Sequence, residues 1–292
     1  MTSAVTVRLT GDGLELAGDW WEPIQPRRGT VVLLHGGGQT RHSWHRAGET
    51  LSERGWATLA YDARGHGESD WSAEEDYATE TMSRDLEAII ERLDEPPVLV
   101  GASMGGNTAL ALAGRRPELC RALVLVDIVP RTADAGVERI LAFMEARPDG
   151  YGTLEEVSAA VADYKGTAPS DDRWDGLRKN VRLQDGRWQW HWDPSYIRDV
   201  RRQPRRAATE LLERAAAAVT APTLVLRAER SDVVGEREVE AFLARMPSAT
   251  VVEVPEAGHT VGGDENSTFV AALTRFLGVT FPVVERAIRT ER

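Results

Sequence analysis

One cysteine in 292 residues, Cys120, excludes an intrachain disulfide and an all-cysteine metal site. Standing just before an apolar run, it reads as a packed thiol. The chain also shows no positively charged leader ahead of a long apolar segment, and its apolar runs are far shorter than a bilayer span. A cytoplasmic protein with no membrane partner is the expectation. Positive charge is scarce as well: 46 acidic against 35 basic residues leave a net charge of −11. That balance opposes nucleic-acid binding, which needs a concentrated positive surface. The runs Arg27-Arg28, Arg201-Arg202 and Arg205-Arg206 are short and read as solvated faces. No glycine-rich segment carries the lysine of a phosphate loop, and Ser103 interrupts any dinucleotide fingerprint in 101–106. His259 has no nearby His or Cys, and Asp171-Asp172 lies in a loop without ligand periodicity, so no metal site is indicated. These absences leave a small-molecule substrate as the expected partner, with no cofactor, and do not separate a monomer from a homodimer.

What is present is a chain 42% hydrophobic, long enough for a large core with an inserted lobe. Thr6 to Leu9 and Leu14 to Ala17, joined by Gly11-Asp12-Gly13, suggest a hairpin. Apolar runs at Thr30–Leu34, Trp56–Tyr61, Val98–Val100 and Ala122–Val126 alternate with helical stretches at Ser43–Arg54, Glu80–Leu93 and Asn107–Arg115. The alternation resumes with strands at Thr223–Leu226 and Thr250–Val254 and helices at Glu236–Arg245 and Ser267–Leu277. Strands alternating with helices in this way predict an α/β fold with a mainly parallel sheet covered on both faces. Helix-compatible sequence interrupts it from Pro130 to about Val219. The expected organisation is therefore a core at 1–129, an inserted cap at 130–219, and the rest of the core at 220–292. A cap there would cover the carboxyl ends of the strands, where parallel sheets bind ligands. Trp174, Trp188, Trp190 and Trp192 fall inside it. Trp188, Trp190 and Trp192 occupy alternate positions, so a short strand would put them on one face, where cap packing and pocket lining are both expected. Beyond it, the tail from Thr280 to Arg292 reads as an amphipathic helix that packs on the core, the simpler choice, or assists association.

Gly101-Ala102-Ser103-Met104-Gly105-Gly106 is the strongest local signal, set between an apolar strand and a small-residue helix. A sharp strand-to-helix turn lifts a serine hydroxyl above the sheet, and glycines two residues before and after it permit close backbone approach. The bland reading, Ser103 as a helix N-cap, does not account for the preceding strand. A second glycine turn, His35-Gly36-Gly37-Gly38, follows an earlier strand. The Gly37 N–H, ahead of that of Gly36, and the Met104 N–H are candidate donors to an oxyanion. Of the six histidines, His259 fits a general base best, because its loop follows the last strand and can return across the strand ends. His66, in Asp62-Ala63-Arg64-Gly65-His66-Gly67-Glu68-Ser69, reads as part of a hydrogen-bonded loop, and His35 as structural. His42 and His45 suggest surface or pocket lining, and so does His191 between Trp190 and Trp192. Asp232 is the favoured orienting carboxylate. Asp127, at the end of Leu123–Val126, is its rival, or else shapes the pocket floor.

These motifs resemble the α/β-hydrolase family across nearly the whole chain, most closely its capped branch of small esterases, lactonases, carbon–carbon bond hydrolases and cofactor-free perhydrolases. The resemblance implies an eight-stranded, mostly parallel sheet with a mainly helical cap between the sixth and seventh strands. It also implies Ser103, His259 and Asp232 as triad, with Gly37 and Met104 as oxyanion hole. A serine at position 103 departs from the aspartate nucleophile of epoxide hydrolases and haloalkane dehalogenases. The expected activity is hydrolysis of a small or medium-sized, mainly apolar ester or lactone through an acyl-enzyme. Carbon–carbon hydrolysis or perhydrolysis with the same groups, and a slow-turnover ligand receptor, are the alternatives.

Overall fold

The computed structural model describes residues 3–167, 174–259 and 267–282. Asp171-Asp172, the side chain of Trp174 and the tail beyond residue 282 lie outside the described residues. Strands β1 (Val5–Thr10) and β2 (Glu15–Trp21) form the expected antiparallel hairpin, and Gly13 turns it with φ +82. The chain continues through β3 (Gly29–Leu34), α1 (His45–Glu53), β4 (Trp56–Tyr61), α2 (Thr79–Ile90), β5 (Val98–Ala102), α3 (Met104–Arg115) and β6 (Ala122–Val126). There the alternation breaks. Residues 127–222 carry α4 (Asp134–Glu145), α5 (Leu154–Lys165), α6 (Trp174–Arg178), the strands β7 (Val181–Gln184) and β8 (Arg187–Trp190), α7 (Pro194–Arg202) and α8 (Arg205–Ala218). The core resumes as β9 (Thr223–Ala228), α9 (Glu236–Leu243), β10 (Thr250–Val254) and α10 (Ser267–Thr280).

The eight-stranded sheet has the order β1-β2-β4-β3-β5-β6-β9-β10, parallel from β4 to β10. Strands β3, β4, β5 and β6 are buried at every position because both faces are covered, and period-two alternation sends neighbouring residues to opposite layers. Val32 and Leu34 join the layer containing α2 and α3, whereas Val31 and Leu33 meet Trp21, Trp44 and Phe269. On α10, Phe269, Leu273 and Leu277 recur every fourth residue and are all buried, the stripe by which an amphipathic helix docks on a sheet.

Within the insertion, β7 and β8 form a two-stranded hairpin that a purely helical reading does not contain. Asp185 and Gly186, both at positive φ, make its tight turn. Last in the segment, α8 lies on α3 rather than over the strand ends. Its Leu212, Ala215 and Ala216 belong to the sheet's own apolar layer. A side chain on Gly114 of α3 would collide with Ala215, so the two helices meet through small residues.

Candidate active site

Register places the site. Ala102 of β5 pairs with Val126 of β6, and Val126 pairs with Leu226 of β9, so the residues just past these strands emerge side by side at the carboxyl edge. Ser103 leaves β5 at φ 46 and ψ −114, a strained turn for a residue with a side chain that costs about 1–3 kcal/mol. Its N–H donates to Val126 O at 3.2 Å, and Asn107 N–H returns to Ser103 O at 3.0 Å. Glycine is required beside it: a Cβ on Gly105 would lie 2.5 Å from Leu34 O, and one on Gly101 would strike the backbone of Gly105 and Gly106.

His259, in the loop after β10, brings Nε2 to 3.3 Å from Ser103 Oγ. Its Nδ1 lies 2.7 Å from Asp127 Oδ2. The carboxylate therefore holds the proton on Nδ1 and leaves Nε2 free to accept from the serine. This corrects the choice of Asp232. Asp127 is fully buried, at the first residue past β6; its Oδ1 accepts Ala228 N–H at 2.9 Å and its Oδ2 accepts the Ser231 hydroxyl at 2.6 Å. Ser231 Oγ also accepts the N–H groups of Val233 and Val234, folding that turn onto Asp127. Asp232 is left pointing outward, where Arg139 Nε donates to it at 2.6 Å. Burial acts to raise the Asp232 pKa, but the hydrogen bond and charge of Arg139 outweigh it and lower the value. Asp127 also preserves the order serine, acid, histidine, so order alone could not discriminate between the two. Nor does Asp127 border the cavity above Ser103, being fully buried behind His259 Nδ1.

Three histidines brace the surrounding turns as neutral rings. His35 Nε2 accepts Ala63 N–H at 2.9 Å, His66 Nε2 accepts Gly38 N–H at 3.2 Å, and His191 Nδ1 accepts Gly67 N–H at 2.8 Å. Burial pushes the His35 pKa down to about 4 and that of His66 to about 3, where the neighbouring His35 adds to the effect. Burial likewise lowers His191 well below its ordinary value. With both nitrogens of His66 hydrogen-bonded, that residue is no rival base. In the same turn Gly36 N–H donates to Gln39 Oε1 at 3.0 Å. Among the described residues, the N–H groups of Gly37 and Met104 make no such bond, and both residues border the cavity above Ser103.

That cavity has a volume of about 1180 Å³ and runs from Ser103 and His259 between the sheet edge and the insertion. Its walls include Val137, Ile140, Leu141, Phe143, Met144 and Leu212. Trp190 and Trp192 line it as a stacked pair with centroids 4.8 Å apart. Trp188 does not: it packs with Tyr151, Leu154 and Val181, away from the cavity. Sequence reasoning missed Tyr196 of α7, which also lines the cavity. The signal available was Asp193-Pro194, an N-cap followed by a first-turn proline, which marks the helix start but not where its side chains point. Among the described residues no cluster of three or more His, Cys, Asp or Glu side chains is suited to a metal, and no helix is long and apolar enough to cross a membrane.

A serine on a strained strand-to-helix turn, joined through an imidazole to a buried carboxylate at the edge of a parallel sheet, defines a class of hydrolase built on a doubly covered α/β core. The family model described as the alpha/beta hydrolase fold matches residues 29–265, and the chain belongs to that family. It is 29% identical over 257 residues to the 3-hydroxybutyrate-oligomer hydrolase of Cupriavidus necator, covering 82% of this chain and 85% of that one. It is 30% identical over 264 residues to the sn-1-specific diacylglycerol lipase of Mus musculus, covering 85% and 80%. The crystal structure of E-2-(acetamidomethylene)succinate hydrolase shares the fold with a TM-score of 0.82 at 24% identity, over 94% of this chain and 99% of that one. These relatives make the chain a hydrolase of this fold.

Proposed function

We propose that the protein hydrolyses a medium-sized, mainly apolar carboxylic ester or lactone through an acyl-Ser103 intermediate. The observation that carries this reading is the continuous chain from Ser103 Oγ through His259 to buried Asp127, opening into a largely apolar cavity of about 1180 Å³. That volume exceeds the roughly 300–1,000 Å³ of ordinary small-molecule pockets, which favours a substrate with a substantial chain on at least one side of the carbonyl. Relatives named as an oligoester hydrolase and a diacylglycerol lipase agree with an ester as the bond cleaved.

In this mechanism Ser103 Oγ attacks the carbonyl carbon as its proton passes to His259 Nε2. The carbonyl π pair moves onto oxygen, where the N–H groups of Gly37 and Met104 receive the negative charge. Asp127 stabilises the imidazolium without taking its proton. His259 then protonates the departing alkoxide as the C–O bond breaks, which frees an alcohol or, from a lactone, an attached hydroxyl. Water gives a proton to His259 Nε2, attacks the acyl carbon, and the tetrahedral species collapses to acid and free serine. The insertion acts as a cap whose Trp190 and Trp192 pack along the chain of the substrate.

Matched ester, lactone and amide panels of increasing acyl length, run with the wild type and Ser103→Ala, test the reading. Ester or lactone turnover with an optimum beyond the shortest acyl chains, abolished in Ser103→Ala, is expected. Equal turnover by the two proteins, or amide cleavage exceeding both ester classes, would overturn it.

A further inference from the structure

We propose that the phenol of Tyr196, reaching across from the insertion, is a third hydrogen-bond donor to the substrate's carbonyl oxygen. This assignment rests on the ester-hydrolase reading and extends it.

Tyr196 sits in the first turn of α7, and its position is fixed from several sides. Asp193 caps the helix by accepting Ser195 N–H at 2.8 Å, donates its own N–H to Gly65 O at 2.8 Å, and takes the hydroxyl of Tyr77. Asp199, one turn further on, accepts Tyr77 N–H at 3.0 Å. The Tyr196 ring meets His66 edge-on at 4.8 Å and Tyr77 at 5.9 Å. Only 7% of the residue is exposed. Its hydroxyl nevertheless has no hydrogen-bond partner among the described residues, although it lines the cavity that holds Ser103.

The hydroxyl lies against the glycine turn. A Cβ built on Gly37 would fall 2.8 Å from Tyr196 Oη, and one built on the preceding Gly36 would fall 3.5 Å from Ser103 Cβ. The phenol therefore approaches the residue whose N–H is free for an oxyanion, on a turn that itself touches the nucleophile. His66 cannot absorb the proton, because its Nε2 already accepts Gly38 N–H. A hydroxyl with no protein partner at a cavity wall is free to donate to whatever occupies that cavity. A donor held rigidly at the place where charge develops contributes most in the transition state, since nothing need reorganise. Burial raises the phenol's pKa above its ordinary value, which favours the protonated, donating form.

Tyr196→Phe keeps the ring contacts and removes only the donor. It is expected to lower kcat about 10²-fold, the order found on losing one oxyanion donor, with KM nearly unchanged. Affinity for a trifluoromethyl ketone, which adds Ser103 to form a charged tetrahedral adduct, should fall in step, while the matching alcohol binds as before. A purely packing role, which the phenylalanine ring preserves, would leave kcat and the ketone-to-alcohol ratio alone, and that result overturns the proposal. Replacing Tyr196 with 3,5-difluorotyrosine gives a second reading if the phenylalanine variant folds poorly. Its more acidic hydroxyl should impose a loss of kcat at alkaline pH that the wild type lacks, and identical pH profiles count against the assignment. Absence of Ser103-dependent turnover in the wild type would remove both readings, whereas wild-type kcat in Tyr196→Phe removes only this one.

Discussion

Asp127 and Asp232 follow neighbouring strands, yet only one has a buried set of donors around it. Asp127 receives an amide, a hydroxyl and an imidazole, whereas Asp232 faces Arg139 at a half-exposed surface. Asp127→Asn should lower kcat about 10⁴-fold, the order seen when a triad carboxylate becomes an amide and the imidazole tautomer is lost. Asp232→Asn should leave kcat essentially unchanged. Steady-state rates on one ester suffice, and the reverse ranking would return the role to Asp232. At this scale Ser103 and His259 are legible because short motifs at strand ends mark them. The carboxylate that meets His259 is not legible, because it depends on which way the 231–234 turn folds, and Ser231 sets that by bonding to Asp127.

Helix α7 ties the insertion to the core. Asp193 caps it and holds Tyr77, and Arg201 near its other end reaches Glu138 and Glu145 of α4 at 2.7–2.8 Å. The Arg201 ion pairs are exposed and contribute little individually, so the buried cap is the more sensitive point. Asp193→Ala should lower stability by about 0.5–2 kcal/mol, the range for a lost N-cap, and raise KM as the Tyr196 wall loosens. Urea unfolding and ester kinetics on the same variant check this; wild-type values in both would mean that α7 is positioned by other contacts. The β7–β8 hairpin divides its tryptophans. Trp190→Ala should shift acyl-length preference because Trp190 stacks on Trp192 at the cavity, whereas Trp188→Ala should weaken the hairpin's own packing and spare selectivity. Competition between short and long acyl esters separates the two, and equal shifts would show that both rings act on the substrate. Alternate spacing put these residues on a strand, but Trp192 lies beyond the strand end, where the chain turns into α7.

Across the whole molecule the buried histidines couple folding to pH. His35, His66 and His191 have pKa values lowered from an ordinary 6.5, so below about that pH the unfolded chain binds protons that the native state refuses. Their contribution is complete above pH 6.5 and is lost as pH falls toward the native values near 4 and 3 for His35 and His66. Each can contribute a slope of roughly 1 kcal/mol per pH unit within that window. Urea midpoints at pH 7.5, 6 and 5 in constant salt should decline; a flat series would mean that these rings are protonated in the native state. Composition could not reveal this, since a histidine's burial is decided by the loops around it.

The sequence alone determined the α/β class, the mainly parallel sheet and the turns that carry Ser103 and His259, because strand runs, helix periodicity and glycine turns are local properties carried by adjacent residues. Tertiary structure decided which carboxylate meets His259, which tryptophans see the cavity, and that a tyrosine from the insertion stands beside Gly37. Those outcomes join residues far apart in the chain, His259 and Asp127 being separated by 132 positions. They follow from strand register and turn direction, which no short stretch of sequence contains.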